Sequence, residues 1–278
     1  MTRHRPGFSL TELMVALVLT GIIGAALTRL IINQARFVAM QDGMMRARSG
    51  ARAALNVMTS ELRAITDSGL VAASPDSITV RVPYAFGVAC QQASGATNVA
   101  LLPGDSALYG SATAGGYAWR DSTGAFVFRE PATVAAGSCA PPAPAITVLG
   151  TTGWSARTVA VSPNNPDTPA GAIVYLYQTI RYAFAPSVSV PGRRALWRTV
   201  LSTGARDELV VPFDTSSKFQ FLVGNRYTPQ AAPPAVLDSV RGLRIRLVGQ
   251  SEAPPEGRVG PVKFDLTSDI LFRNNARQ

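Results

Sequence analysis

The stretch Phe8–Ile32 is the feature that most constrains how this chain can fold. Its only charged side chains are those of Glu12 and Arg29. A helix needs about 20 apolar residues to cross the ~30 Å hydrocarbon core of a bilayer, and residues 8–28 provide that length. Arginines precede the stretch, so the positive-inside rule predicts a single membrane span with a cytoplasmic N-terminus. A secretory signal peptide is the weaker alternative, because the apolar run resumes at Leu30 after the small residues.

The helix is expected to continue beyond the membrane. No proline occurs between Pro6 and Pro75, and apolar residues recur at spacings of three and four, as in an amphipathic helix. The pattern predicts one helix from Phe8 to about Asp67, with residues 29–68 protruding from the membrane and packing on the C-terminal domain. Gly69 is expected to stop it. The predicted apolar stripe comprises Phe37, Met40, Met44, Ala47, Ala51, Leu55, Met58, Leu62 and Ile65.

The sequence changes character after Pro75, where short β-like runs alternate with turn clusters. No alternation of strands with helices occurs, so a parallel doubly wound sheet is not expected. The sequence therefore predicts an α+β fold, in which the long N-terminal helix packs on an antiparallel β-sheet domain spanning residues 69–278. The predicted strands lie at residues 77–84, 125–130, 154–161, 172–184, 195–201, 218–223, 242–249 and 262–274.

Few residues in the chain are suited to catalysis. The only histidine, His4, precedes the apolar stretch, so no Ser–His–Asp or Cys–His arrangement can form after it. Phosphate-binding and dinucleotide-binding glycine motifs do not occur. The turn at residues 162–171 has oxygen ligands but not the spacing of a calcium loop. We therefore predict that the protein is not an enzyme and holds no cofactor or metal.

The formal charge of +9 comes almost entirely from arginine. Such an excess could attract nucleic acid, but an arginine-rich, alanine-rich chain can also reflect genome composition. The segment at residues 193–198 places arginines beside Trp197, which could suit a nucleic-acid strand. The alternation of a half-buried β-strand explains the same pattern more simply.

The two cysteines, Cys90 and Cys139, are too few for a zinc site. If the domain is exported, a disulfide between them is expected. It would close a loop of about 50 residues and stabilise the fold by ~4 kcal/mol in the chain-entropy model. Two buried free thiols are the alternative.

The N-terminal sequence R-H-R-P-G-F-S-L-T-E resembles the processing site of type IV prepilins. In that family a short basic leader ends in glycine, and a phenylalanine or methionine then opens an apolar helix with glutamate at its fifth position. Gly7, Phe8 and Glu12 match this pattern, with residues 1–7 as the leader. The resemblance implies that a prepilin peptidase cuts between Gly7 and Phe8, that Phe8 is N-methylated, and that Glu12 meets the freed amine of Phe8 in a neighbouring subunit of a filament.

Later segments resemble the PilW/PulJ class of minor pilins and pseudopilins. These are IRYAF at 180–184, LWRTV at 196–200, VLDSVRGLRIRLV at 236–248 and ILFRN at 270–274. The chain is also longer than the major subunits of such families. The resemblance implies a minor pilin, expected at a filament tip. The alternatives are a type II secretion pseudopilin, or a tip adhesin or DNA-uptake subunit.

The same resemblance implies partners and a location. The expected partners are the prepilin peptidase and other major and minor pilins or pseudopilins, with DNA or a surface ligand at the tip as a further expectation. The protein is expected to lie in the inner membrane, with its C-terminal domain in the periplasm, and then to move into the pilus or pseudopilus.

Overall fold

The computed structural model describes residues 9–66, 68–93, 95–111, 113–139, 157–252, 254 and 259–272. The described helices are α1 (Leu10–Leu62) and α2 (Pro103–Leu108), with 3₁₀ turns at Tyr109–Ser111 and Leu237–Ser239. The described strands are β1 (Leu70–Ser74), β2 (Ser77–Ala93), β3 (Ala96–Leu101), β4 (Gly116–Arg120), β5 (Phe126–Arg129), β6 (Thr133–Ala136), β7 (Thr158–Ser162), β8 (Ile173–Pro186), β9 (Arg194–Val200), β10 (Arg206–Phe213), β11 (Lys218–Val223), β12 (Thr228–Gln230), β13 (Val240–Gln250) and β14 (Lys263–Leu271).

Helix α1 is continuous over 53 residues, and among the described residues its contacts with the domain come from its C-terminal part. Every residue from 9 to 39 is exposed. The buried positions recur at spacings of four and three, as expected for one face of a helix; they are Ala47, Ala51, Ala54, Met58 and Leu62. The predicted stripe therefore begins too early, since Phe37 and Met44 are exposed. It also omitted Ala54, which is fully buried.

Small residues bring α1 unusually close to the sheet. A Cβ atom on Gly249 of β13 would lie 2.4 Å from the backbone oxygen of Ala47, so only glycine fits there. On the helix, a Cβ atom on Gly50 would meet Val210 of β10 at 3.3 Å. The helix backbone can therefore lie almost directly on the strands at this point.

Helix α1 ends at Leu62, five residues before the predicted end near Asp67. The amides of Ala64 and Ile65 bond to carbonyls three residues back, which tightens the chain into a turn. This turn places Ile65 in the core, where it is fully buried. Gly69 is required by close approach and not as a helix cap, because a Cβ atom there would lie 2.5 Å from Cγ2 of Ile65.

The described strands form one antiparallel sheet, which confirms the predicted α+β fold. Along its main path the strand order is β12-β11-β13-β10-β9-β8-β2-β3-β7-β6. Strand β1 pairs with β2, β14 pairs with β13, and the β4–β5 hairpin joins through β8. Every neighbouring pair is antiparallel.

The sheet carries two hydrophobic clusters. The larger one joins the buried face of α1 to β2, β8, β9, β11 and β13, and includes Met58, Tyr182 and Phe221. The second contains Tyr117, Trp119 and neighbouring side chains from β2, β3, β7 and β8. A bulge at Tyr84 in β2 separates the two clusters along that strand.

The predicted strands are recovered, most closely β11 at Lys218–Val223. Residues 154–156 and 273–274 of the predicted strands lie outside the described residues. Six strands were not predicted, namely β1, β3, β4, β6, β10 and β12. Strand β10 opens with charged residues and contains Pro212, which is a weak sequence signal for a strand.

Candidate assembly site on the N-terminal helix

Only part of the predicted processing and assembly site lies within the described residues. Gly7 and Phe8, the predicted cleavage and methylation site, lie outside them. The described part of the chain begins at Ser9, and Glu12 lies in the first turn of α1. Glu12 is exposed, and with Thr11, Val15, Ala16 and Leu19 it borders a shallow, mainly apolar depression of about 430 Å³ on the helix surface.

Glu12 takes part in a reciprocal cap with Ser9. The backbone N–H of Glu12 donates to Oγ of Ser9 at 3.2 Å, and the backbone N–H of Ser9 donates to Oε2 of Glu12 at 3.3 Å. Such a capping box satisfies two amides that a helix N-terminus otherwise leaves unpaired. Sequence reasoning missed Ser9, although Ser-x-x-Glu before an apolar run is the signal for this arrangement.

The carboxylate of Glu12 therefore has a role within its own helix. Its negative charge also lies at the positive end of the helix dipole. Neither the capping hydrogen bonds with Ser9 nor the interaction with the helix dipole needs a second subunit. Any role of Glu12 between subunits has to be separated experimentally from this local role.

The rest of the exposed helix is strongly apolar. Leu13, Ile22 and Ile31 are 59–64% exposed, and the exposed apolar surface continues to Val38. Helix α1 contains a segment near its N-terminus that is long and apolar enough to cross a membrane. Contiguous apolar surface of this size marks a site of contact with lipid or protein. This exposed helix and the prepilin-type sequence before it fit membrane anchoring.

A half-buried polar cluster fixes the other end of α1 to the sheet. Arg198 of β9 donates from Nη2 to Oε1 of Glu61 at 2.9 Å, and the hydroxyl of Tyr182 donates to Oε2 at 2.5 Å. Burial, followed by the nearby charge of Glu61, raises the pKa of Tyr182 well above its usual value. Burial opposes the charge of Arg198, but its hydrogen bond to Glu61 outweighs this and raises its pKa.

The two cysteines are joined in the structure. Cys90 of β2 and Cys139, three residues after β6, form a disulfide with Cα atoms 5.8 Å apart. The bond spans a sequence separation of 49 residues. The disulfide ties β2, which contributes to the second hydrophobic cluster, to the segment that follows β6. Strand β6 is the last described strand at that end of the sheet.

The arginine-rich segment at 193–198 forms strand β9 with internal contacts. Arg194 pairs with Asp76, and Arg198 pairs with Glu61. The indole of Trp197 donates to the carbonyl of Pro186, and the guanidinium of Arg206 lies 4.0 Å from its ring centroid. These contacts support the half-buried strand interpretation over a nucleic-acid contact.

The comparisons with known proteins concern the N-terminus. A family model described as the prokaryotic N-terminal methylation motif matches residues 2–28. The chain has no significant match among curated proteins or among solved structures. The matched segment covers the predicted leader, the predicted processing site and the first part of α1.

The motif and the fold together indicate a class of protein. A prepilin-type methylation motif includes the first part of a long apolar helix, and an antiparallel sheet domain packs on the end of that helix. This combination supports a type IV pilin-like or pseudopilin-like protein. The motif points to a structural subunit that is processed by a prepilin peptidase and assembled with other pilins.

Proposed function

We propose that the chain is a minor pilin that takes part in type IV pilus assembly at the filament tip. The observation that carries the proposal is the prepilin-type motif, which runs into an exposed apolar helix. The tip position is supported by the size of the domain, since its sheet contains 14 described strands. A bulky domain is easier to place at the end of a stack than in every repeat.

The segments of the chain have distinct roles in this proposal. Residues 1–7 are the cytoplasmic leader, removed by cleavage between Gly7 and Phe8. Residues 8–28 anchor the subunit in the inner membrane before assembly and enter the filament core afterwards. Residues 29–68 protrude from the membrane, and residues 69–278 form the globular domain outside the cytoplasm.

The exposed surface of α1 supplies the driving force for assembly. Apolar side chains from Leu10 to Val38 lack partners within the described residues of the subunit. In the membrane they contact lipid; in a filament they contact the helices of other subunits. Addition of each subunit is head-to-tail, a heterologous contact that does not close into a ring.

Glu12 then fixes the register of addition. A carboxylate inside a bilayer is unfavourable, by about 2.5–3.5 kcal/mol on insertion scales at the bilayer centre and by less toward the interface, where Glu12 lies as the fifth residue of the segment 8–28. Pairing with the freed, methylated amine of Phe8 in a neighbouring subunit removes this cost in the filament. An offset between the helices would leave both charges unpaired in apolar surroundings, which is strongly unfavourable.

The test is mass spectrometry of surface filaments sheared from cells. A peptide beginning with N-methylated Phe8, present at low stoichiometry relative to the major subunit, is the expected result. Absence of the chain from purified filaments would contradict a minor pilin. If deletion of the gene for this chain also left pili intact and caused secreted enzymes to accumulate in the periplasm, the type II secretion pseudopilin would be the correct alternative.

A further inference from the structure

Strand β14 is the longest edge of the sheet that lacks a second neighbour among the described residues. It spans nine residues and pairs in the described sheet with β13 alone. The other strands with a single partner there are β1, β5, β6 and β12, which have three to five residues. A long free edge presents unpaired backbone N–H and C=O groups, to which another strand can bind.

Two hydrogen bonds at the ends of β14 define which of its backbone groups face outward. The amide of Ser251 donates to the carbonyl of Val262 at 2.9 Å, and the amide of Phe272 donates to the carbonyl of Arg241 at 3.1 Å. The register with β13 is unbroken between these two bonds. Because such bonds alternate along an antiparallel pair, the even-numbered residues of β14 direct their backbone groups at β13 and the odd-numbered ones direct theirs away. The outward-directed residues are Lys263, Asp265, Thr267, Asp269 and Leu271.

The outward edge of β14 is open to solvent. All five residues that form it are exposed, and their backbone N–H and C=O groups bond to no other residue that the structure describes. Natural sheet edges are usually blunted by a proline, by a bulge or by a charge that points toward the core. Strand β14 contains no proline and no register shift, and its helix-facing positions are uncharged. Its edge is therefore able to accept a further strand.

The side chains on the helix-facing side of β14 are mainly apolar. Phe264 and Leu266 are half-buried and pack against the larger hydrophobic cluster, and Ile270 is buried within it. The guanidinium of Arg48 in α1 lies 4.9 Å from the ring centroid of Phe264. A strand added beside β14 would place every second side chain next to this row. Apolar side chains at those positions would extend the cluster and lose contact with water.

The side chains on the opposite side of β14 place two carboxylates at the edge. Asp265 and Asp269 lie four residues apart, and their side chains are 45% and 43% exposed. The arginines that pair with them, Arg246 and Arg244, lie one strand further in, on β13. An added strand would therefore have the carboxylates as its direct neighbours, and opposite charges on neighbouring strands are favourable. This arrangement favours basic side chains at two positions four residues apart in the added strand.

A second copy of β14 fits this edge less well. If two copies paired antiparallel over the whole strand, Thr267 would lie at the centre and Asp265 would lie opposite Asp269. Like charges directly opposite one another destabilise a strand pair. The edge is therefore better suited to a segment of a different protein.

We propose that the free edge of β14 binds an extended segment of a partner protein as a further antiparallel strand. Basic side chains of this segment lie opposite Asp265 and Asp269, and its apolar side chains lie beside Phe264 and Leu266. Main-chain hydrogen bonds supply affinity in this kind of recognition, and alternate side chains supply specificity. The binding does not depend on the proposed role in filament assembly, because a single subunit contains the whole edge.

The test uses the full chain, purified in detergent, and a synthetic peptide of sequence TVKVTVKVE. In antiparallel register the lysines of this peptide lie opposite Asp265 and Asp269, and its glutamate lies opposite Lys263. The charge-swapped peptide TVEVTVEVK has the same length and the same apolar residues, so it controls for hydrophobic binding to the domain or to the micelle. Fluorescence anisotropy of labelled peptides measures affinity, and hydrogen-exchange mass spectrometry measures protection of residues 263–271.

We expect the first peptide to bind and to slow exchange in β14. The charge-swapped peptide should bind at least about tenfold more weakly, because three charge pairs are reversed. An Asp265→Lys, Asp269→Lys variant should invert this preference. Thr267→Pro removes one outward amide and keeps the bonds to β13, so it should weaken binding about tenfold or more. Thr267→Val keeps that amide and should bind as the unmodified chain does.

The proposal is overturned if neither peptide binds, if both bind equally well, or if Thr267→Pro binds as tightly as Thr267→Val. It is also overturned if sedimentation shows a dimer that Thr267→Pro dissociates, because the edge would then hold a second copy of the chain. A loss of binding in Thr267→Pro counts only when its unfolding midpoint matches that of Thr267→Val. If Thr267→Pro folds poorly, the double aspartate variant provides the deciding comparison through its inverted peptide preference.

Discussion

Glu61 and Arg198 join the end of the long helix to the sheet through an ion pair of 2.9 Å. Both side chains are about one-fifth exposed, 22% for Glu61 and 19% for Arg198. The hydroxyl of Tyr182 completes the cluster on the second carboxylate oxygen. The pair fixes the direction in which α1 leaves the domain, and therefore where the domain would sit relative to a membrane or filament.

Removing one partner of this cluster should destabilise the fold. We expect Arg198→Ala to lower the free energy of unfolding by about 1.5–3 kcal/mol, because it leaves a half-buried carboxylate with only Tyr182. The measurement is urea unfolding of the full chain in detergent, followed by near-ultraviolet circular dichroism. Arg244→Ala is the matched control, since Arg244 pairs with Asp269 at the exposed sheet edge. It should cost less than about 1 kcal/mol, and equal losses in both variants would contradict the account.

The close approach of α1 to β13 should not tolerate a side chain. In Gly249→Ala the new Cβ atom would collide with the backbone of Ala47, so we expect a loss of about 1–3 kcal/mol in unfolding free energy. Gly260→Ala is the control, because a Cβ atom there meets nothing within 4 Å. Unchanged stability of Gly249→Ala would show that the helix is not seated on the sheet as described.

The disulfide should contribute to stability and should form in the cell. Non-reducing peptide mapping by mass spectrometry, after alkylation of intact cells, is expected to recover Cys90 linked to Cys139. Removing both thiols in a Cys90→Ser, Cys139→Ser variant should lower the unfolding free energy by about 2–4 kcal/mol. A reductant should destabilise the unmodified chain by a similar amount and leave the variant unaffected. Alkylated free thiols in protein from intact cells would contradict the pairing.

Acid should weaken the domain through Glu208. Burial would raise its pKa, but hydrogen bonds from the hydroxyls of Ser187 and Ser189 and from the amides of Val188 and Ser189 prevail and lower it to about 2. A carboxylate with a depressed pKa stabilises the fold above its unfolded pKa, near 4.3. This contribution is lost as the pH falls from about 5 to about 2.

Unfolding measured across that pH range is therefore expected to depend less on pH in Glu208→Gln than in the unmodified chain. Glu208→Gln should also be less stable at pH 7. The neighbouring Asp207→Asn removes one exposed carboxylate without these hydrogen bonds, and should keep the original pH profile. Parallel profiles for the unmodified chain and Glu208→Gln would refute the assignment.

The sequence predicted the architecture because its signals are local. A run without proline and with helical periodicity indicates a helix, although the Ser-x-x-Glu signal for its start at Ser9 was overlooked. The end of the helix was misplaced, because it depends on Ile65 reaching the core, which is a tertiary contact. Strand β10 was missed for a similar reason. Its charged first residues and Pro212 disfavour a strand locally, and pairing with neighbouring strands is what holds this segment in the sheet.

The candidate sites also differ in how far the sequence alone reveals them. Gly7, Phe8 and Glu12 could be proposed as processing and assembly residues because the prepilin-type motif is a linear pattern. The pairing of Glu61 with Arg198 could not be identified, because 137 residues separate them in sequence. The free edge of β14 was equally hidden, because it depends on the strand order of the folded sheet.

In the proposed mechanism the charge of Glu12, and not its cap, fixes the register in which subunits are added to the filament. Glu12→Gln keeps an acceptor for the Ser9 amide but removes the charge, whereas Ser9→Ala weakens the cap and keeps the charge. The measurement is the amount of each variant recovered in sheared filaments, relative to its cleaved form in the membrane. This mechanism predicts normal cleavage for both, severe loss of incorporation for Glu12→Gln, and near-normal incorporation for Ser9→Ala. Normal incorporation of Glu12→Gln would contradict it.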